Sequence, residues 1–376
     1  MEFLHYFKSR QGDIIRLLKD LVNLESPSHD KDAVNKCSLF CAEELKKAGA
    51  AIKRIPQKDI GDFYTAEYKG VKKETRSKPI LVLTHSDTVW PVGRIEKMPF
   101  YVEGQKIFGP GVLDMKAGLA MLIFVFRTFK QLNISPQKNI SIFINSSEET
   151  GNRNSTDMLK KLGKNAFCAL CLEPAIPGGA LKMQRKGRLV VKLEATGKAA
   201  HAGNPDLGVN AIEELTKQLQ NIHCLKTKNV SVNVGVIEGG TKPNVVAEKA
   251  WSLIDIRFWE NSQKDKAWSF LAGLTPHFKG AKVKAFSESF TPPMVKTPAS
   301  AHLFDHVKGF AETLGIALES GRTGGGSDAS VVSSIGVPTL DGLGPDGDGI
   351  HAKNEHLLLP SLLERTALLA EILRRL

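Results

Sequence analysis

The sequence predicts an α/β fold, a mixed and mostly parallel sheet with helices on both faces, carrying an inserted α+β domain. Three observations point there. Short apolar runs alternate with helix-type segments over residues 13–172, as strand–helix–strand units do. Polar clusters follow successive apolar runs, at the carboxyl ends of strands where ligands bind in such sheets. From about Gln184 the texture becomes one of longer alternating strands, and Thr291-Pro292-Pro293 marks a return to short strands and helices. The expected organisation is a discontinuous domain of residues 1–183 and 295–376 around an insert of residues 184–294. A chain of 376 residues is long enough for two domains.

Residues 13–24 have helical periodicity and stop at Ser26-Pro27. A second amphipathic helix over 30–47 puts Val34, Cys37, Phe40, Cys41 and Leu45 on one face and ends at Gly49. Strand-like pieces follow at 51–55 and 63–68, then a charged turn at 72–78. The compact apolar run from Pro79 to Leu83 reads as a buried parallel strand that delivers His85 and, on the same side, Asp87. Asp114 follows Gly109-Pro110-Gly111-Val112-Leu113 and precedes an apolar helix at 119–129. A strand at 139–145 ends in Ser146-Ser147-Glu148-Glu149-Thr150-Gly151, and a strand at 166–172 ends in Glu173-Pro174. In the insert, strands at 188–196, 230–237, 247–257 and 281–286 with helices at 210–221 and 263–274 give the β-α-β-β-α-β order of a ferredoxin-like sandwich. The remainder reads as a helix after Ala299, a glycine run, a helix from Asp328, a strand at 337–340 and a closing helix from Pro360.

The hydrophobic share of 42% with 24% charged residues is that of a soluble globular protein. No apolar stretch reaches membrane-spanning length, and no signal-peptide layout opens the chain, so no membrane partner is expected. Five irregularly spaced cysteines fit free thiols in a reducing cytoplasm, with Cys168 and Cys171 as small buried hydrophobes. The net charge of +11 is spread over scattered lysines without interleaved aromatics, which speaks against nucleic acid and for a basic surface favouring anionic small substrates. Gly324-Gly325-Gly326 is not a nucleotide loop, because neither G-x-G-x-x-G nor G-K-S/T is present. These glycines are expected to allow close backbone approach beside a substrate, with Ser327 or Asp328 starting the next helix.

Five oxygen and nitrogen donors stand at comparable places: His85, Asp114, Glu149, Glu173 and His351. Imidazoles and carboxylates without thiolates suit catalytic zinc, and five exceed the needs of one ion. They fit two ions if one carboxylate bridges. Glu148 beside Glu149 leaves one acid to ligate and the other free as general base for metal-bound water. The pair also fits a helix N-terminus, where acids interact with the dipole.

The ordered motifs His85-Ser86-Asp87-Thr88-Val89, Gly109-x-Gly111-x-x-Asp114-Met115-Lys116-Ala117-Gly118, Glu148-Glu149-Thr150-Gly151, Glu173-Pro174, Gly197-x-x-Ala200-His201-Ala202-Gly203 and His351 span nearly the whole chain. They resemble the co-catalytic zinc metallopeptidases, a family including glutamate carboxypeptidase, acetylornithine deacetylase and succinyl-diaminopimelate desuccinylase, with glutamate carboxypeptidase the most similar. The resemblance implies a zinc-exopeptidase-like catalytic domain, an inserted dimerisation or lid domain, and a homodimer. It implies that Asp114 bridges two Zn²⁺ (Co or Mn being possible substitutes) and precedes a cis peptide. His85 and Glu173 would hold one ion, Glu149 and His351 the other. Asp87 would orient His85, and Glu148 would move the proton from water to the leaving amine. His201 would stabilise the oxyanion in the partner's site. Asn244 and Arg257 would bind the substrate's terminal carboxylate, with Gly325 beside them. The implied substrate is a peptide or N-acyl amino acid. Deacylation of N-acyl amino acids and non-catalytic peptide binding are the alternatives. Lys182, Arg185, Lys186 and Arg188 are further cations that would favour an acidic substrate side chain.

Overall fold

The computed structural model describes residues 3–71, 78–151 and 154–376, so the charged turn expected at 72–78 lies almost wholly outside the described residues. The chain divides into two compact units. One comprises Met1–Gln184, Lys296–Thr323 and Ser327–Leu376; the other comprises Arg185–Val295 and Gly324–Gly326. Among the described residues no helix is long and apolar enough to cross a membrane.

The first unit is built on a six-stranded mixed sheet. Ile80–His85 lies inside it, parallel to Ile140–Asn145 on one side and to Cys168–Cys171 on the other. Thr339–Leu340 extends the parallel set beyond Cys168–Cys171. Phe63–Tyr68 and Ala51–Ile55 complete the opposite edge antiparallel. All six residues of Ile80–His85 are buried, which explains an unbroken apolar run rather than an alternating one. His85 pairs with Asn145 and Leu83 with Cys171, so the carboxyl ends of three strands come level. That register brings His85, the Ser146–Glu149 turn and Glu173 to one place.

Ala117–Gln131 is the central helix, buried on nearly every side, and Gln11–Asn23, Lys31–Lys47 and Leu359–Arg375 pack against it. Two residues at its start fix its position. A Cβ on Gly118 would meet the Leu172 carbonyl oxygen at 2.5 Å, so only glycine lets the helix approach that strand end. Lys116 is buried and donates from Nζ to the carbonyl oxygens of Leu21 and Leu24, capping the end of Gln11–Asn23. The helix Phe3–Ser9 was not legible in the sequence. Seven residues show too little periodicity, although Phe7 packs 5.6 Å from Phe124, ring to ring. The strands Tyr101–Glu103, Lys106–Phe108, Gly347–Asp348 and His356–Leu358, which form a small separate sheet, are too short to read for the same reason.

The second unit is a four-stranded antiparallel sheet in the order Ser231–Gly239, Lys249–Phe258, Gly187–Thr196, Lys282–Thr291, with helices Ala211–Ile222 and Asn261–Ala272. This is the ferredoxin-like order. Alternate residues Leu189, Val191 and Leu193 meet Leu215, Ile254, Ile256 and Leu271 in its own core. The last strand runs five residues past the expected Phe286, because a register shift between Ser287 and Ser289 breaks the period-two pattern.

Glu214 is buried in this unit. Its carboxylate accepts from the backbone N–H groups of His277 and Phe278, each at 2.9 Å, and from the Gln218 amide at 2.8 Å. Burial opposes its ionisation, but these bonds hold its pKa below the usual range. A depressed folded-state pKa stabilises above the unfolded value of about 4.3 and is lost as pH falls through the folded one. Glu214→Gln should therefore cost about 1–3 kcal/mol at pH 7. The gap to wild type should narrow below about pH 4, as denaturant titrations at the two pH values would show.

Candidate metal centre

Each donor reaches the centre from a different local structure. His85 ends the central strand, and its backbone N–H donates to Met115 Sδ at 3.2 Å. Asp114 sits in the irregular turn Val112–Lys116, and its peptide to Met115 is cis. That turn follows Gly111, whose φ of +69° is left-handed and whose Cβ would lie 2.6 Å from Thr88 Cγ2. Glu148 and Glu149 occupy a single 3₁₀ turn, Glu148–Thr150, rather than the start of a long helix. Glu173 follows the strand Cys168–Cys171. His351 has a φ of +62°, uncommon for a non-glycine residue, and is the one exposed donor.

The arrangement is centred on Asp114. Its Oδ1 lies 3.3 Å from His85 Nε2, and its Oδ2 lies 3.4 Å from His351 Nε2. His85 Nε2 also faces Glu173 Oε1 at 3.3 Å, and His351 Nε2 faces Glu149 Oε1 at 3.1 Å. One carboxylate thus divides its two oxygens between two imidazole–carboxylate pairs. His85 Nε2 and Asp114 Oδ1 are buried, and neither has a hydrogen-bond partner among the described residues. Buried polar atoms are ordinarily satisfied, so two orphans turned toward one another fit lone pairs directed at a cation. Donor atoms of His85, Asp114 and Glu149 lie within 4.8 Å of one another, as do those of His85, Glu148 and Glu173. Glu148 is therefore close enough to donate to an ion as well.

Asp87 holds the centre in place by its backbone contacts more than by its carboxylate facing His85. His85 Nδ1 lies 3.0 Å from the Asp87 carbonyl oxygen and 3.5 Å from Oδ1. The Asp87 carboxylate accepts instead from the N–H groups of Glu148 and Glu149, both at 3.1 Å, and from Ser28 Oγ at 2.7 Å. It fixes the turn that carries both glutamates.

The charges are out of balance. Burial and then the Glu173 carboxylate push Glu148 well above the usual carboxylate range. Burial and then Asp114 push Glu149 up to about 7. Burial also works against ionisation of Asp114, but His351 and His85 hold it far below that range. Burial alone would lower His85; Asp114, Asp87 and Glu173 raise it instead. Asp114 and then Glu149 raise His351 to about 10. Glu148 and Glu149 are thus pushed up by burial and neighbouring carboxylates while Asp114 is pushed down by two imidazoles, a crowding of acids that bound cations would relieve.

The sequence-expected substrate residues lie in the second unit. His201 is exposed, and its Nδ1 accepts from the Gly203 N–H at 3.0 Å. The Asn244 carbonyl accepts from Ala202 N at 3.0 Å. Arg257 donates from Nε to Asp255 at 3.1 Å and from Nη1 to the Gly324 carbonyl at 2.9 Å. Gly325 is held there by Arg185, which donates to the carbonyls of Gly325 and Gly326. The cations expected to favour an acidic side chain have these surroundings. Lys182 and Arg185 are buried, Lys186 stands over the Trp259 ring, and Arg188 bonds Asp255 at 2.6 Å.

The sequence carries no signal for four supporting residues, Asn145, Ser28, Asp328 and Glu355. Asn145 donates to both oxygens of buried Asp328, at 3.1 and 2.9 Å, and Ser28 reaches Asp87. Asp328 stood in a segment read only as a helix start. That reading holds for Ser327, whose Oγ accepts from Ala329 N. Glu355 carried no signal at all.

Peptidase family M20/M25/M40 matches residues 81–375. Carboxypeptidase G2 of Pseudomonas sp. (strain RS-16) is 30% identical over 375 residues, covering 96% of this chain and 89% of that protein. A succinyl-diaminopimelate desuccinylase of Legionella pneumophila (strain Lens) is 23% identical over 380 residues, covering 93% and 95%. The crystal structure of aminopeptidase PepT from Bacillus cereus is similar with a TM-score of 0.78 at 22% identity, covering 97% of this chain and 98% of that one. The M20 family metallo-carboxypeptidase Sso-CP2 from Sulfolobus solfataricus gives 0.69 at 17%, covering 96% and 98%. These structural likenesses establish the mixed α/β fold. The chain belongs to peptidase family M20/M25/M40 and is an enzyme, a metallopeptidase or amidohydrolase.

Proposed function

We propose that this chain is a dinuclear amidohydrolase that releases an amino acid with a free carboxylate, glutamate foremost, from a peptide or N-acyl amino acid. The observation that supports this most is the division of Asp114 between His85 and His351. In this reading His85 and Glu173 hold one Zn²⁺, Glu149 and His351 the other, and Asp114 both; Co²⁺ or Mn²⁺ suits the same donors. Bound ions of this kind supply Lewis acidity and an acidified water. The chain does the rest. Glu148 receives a proton at its carboxylate and returns it to the leaving nitrogen. Asp87, through the backbone of Glu148 and Glu149, keeps base and ligand at fixed spacing. His201 serves the oxyanion, and Arg257 with Asn244 takes the substrate carboxylate beside Gly325. For that, Arg257 has to exchange part of its bonding to Asp255 and Gly324 for a bidentate substrate contact. The similarity to carboxypeptidase G2 favours a glutamate leaving group; the desuccinylase relatives keep N-acyl amino acids in view. The second unit is read as a homodimerisation surface. Five free cysteines, four of them buried, suit the cytoplasm.

The test is a panel of dipeptides, N-acyl amino acids and acyl-glutamates with zinc-loaded protein. Hydrolysis that stops with a chelator and returns with zinc is expected, with the fastest turnover on substrates bearing a free terminal carboxylate. Metal-loaded protein that hydrolyses none of them would contradict the reading and favour peptide binding.

A further inference from the structure

Glu355 is fully buried, and both its oxygens are spent on one short turn. Oε1 accepts from the backbone N–H groups of Leu113 at 2.9 Å and Asp114 at 3.2 Å. Oε2 accepts from the N–H of Gly111 at 2.9 Å and the indole Nε1 of Trp90 at 2.8 Å. The turn Val112–Lys116 precedes the central helix Ala117–Gln131 and is non-helical at Asp114 and Met115. Glu355 thus supplies the acceptors for three N–H groups of this irregular stretch, from a residue 241 positions beyond Asp114. It is also tied to its own loop, where Glu355 N donates to the Ala352 carbonyl at 3.0 Å and Ala352 N to that of Gly349 at 2.8 Å. His351 lies inside that loop. One carboxylate therefore joins the turn carrying Asp114 to the loop carrying His351, whose Nε2 stands 3.4 Å from Asp114 Oδ2.

We propose that Glu355 is a positioning residue that sets the spacing between Asp114 and His351, and through it the affinity of the ion these two share with Glu149. His85 and Glu173 approach from strand ends and owe Glu355 nothing but the shared Asp114. The inference rests on the dinuclear reading above.

Glu355→Gln separates the two halves of this role. The amide keeps one acceptor oxygen and turns an N–H₂ group toward two donors, so either Leu113 and Asp114 or Gly111 and Trp90 lose their partner. Zinc binding to the full-length protein, by competition with a chromophoric chelator and by metal analysis, should show one of two ions weakened about 10–100-fold, the scale of losing a group that orients a ligand. The other ion should be retained, and Glu355→Asp, which keeps both oxygens, should recover part of the loss. Glu214→Gln is the control for a general loss of stability, since it removes a comparable buried carboxylate from the other unit and should leave zinc affinity unchanged. If Glu355→Gln does not fold, Glu355→Asp carries the test, with a smaller weakening of the same single ion expected. Wild-type protein that takes up no zinc would overturn the dinuclear reading. Wild type with two ions, and a folded Glu355 variant that binds both as tightly or loses both together, would overturn the role of Glu355 alone.

Discussion

Glu148→Ala is expected to keep its metal and lose its turnover. The side chain has no hydrogen bond to either histidine among the described residues, and its backbone, not its carboxylate, is what Asp87 holds. Truncation at Cβ therefore leaves the turn and the neighbouring Glu149 in place. What disappears is the carboxylate proposed to carry a proton between water and leaving group, a role worth about 10²–10⁴-fold in kcat. Metal analysis of the variant alongside kcat checks both halves. Turnover near that of wild type would remove Glu148 from the mechanism. Loss of metal would show that Glu148 ligates, as its place within 4.8 Å of His85 and Glu173 donors allows.

Asp114→Asn should have the second large effect, by a different route. The amide has the same size, but its single oxygen can serve one imidazole side only, and its N–H₂ group is turned against the other. The bridge is lost together with a negative charge that both His85 and His351 depend on. Metal content should fall from two ions toward one. Activity should fall by about 10²-fold or more, since even removing partners that merely orient a ligand costs about 10–100-fold. Metal analysis and kcat/KM measured together check this; a variant that retains two ions and its rate would show that Asp114 does not bridge.

Part of this was legible because three of the donors follow a strong local signal. His85 ends an apolar run, Glu149 and Glu173 end two more, and strands of that kind are paired in parallel with their carboxyl ends level. The strand-like pieces expected around 51–55 and 63–68 are the strands Ala51–Ile55 and Phe63–Tyr68. What stayed hidden depends on tertiary structure. Glu355 acts 241 residues from Asp114, and an unremarkable glutamate in a loop announces no such bond. Asp87 shares a side with His85, as residues two apart do, and its Oδ1 lies 3.5 Å from the ring; its further bonds to backbone N–H groups 61 and 62 residues away are what sequence cannot show. Arg185, Lys186 and Arg188 show charge in the sequence, but not the carbonyls, ring and carboxylate they meet in the fold.

Anomalous diffraction at the zinc edge from metal-loaded crystals would show whether Asp114 is shared by two ions. The expected result is two peaks about 3.5–4 Å apart. One should be bound by His85 and Glu173, the other by His351 and Glu149, with one Asp114 oxygen on each. A single peak, or two peaks of which only one contacts Asp114, would contradict the account.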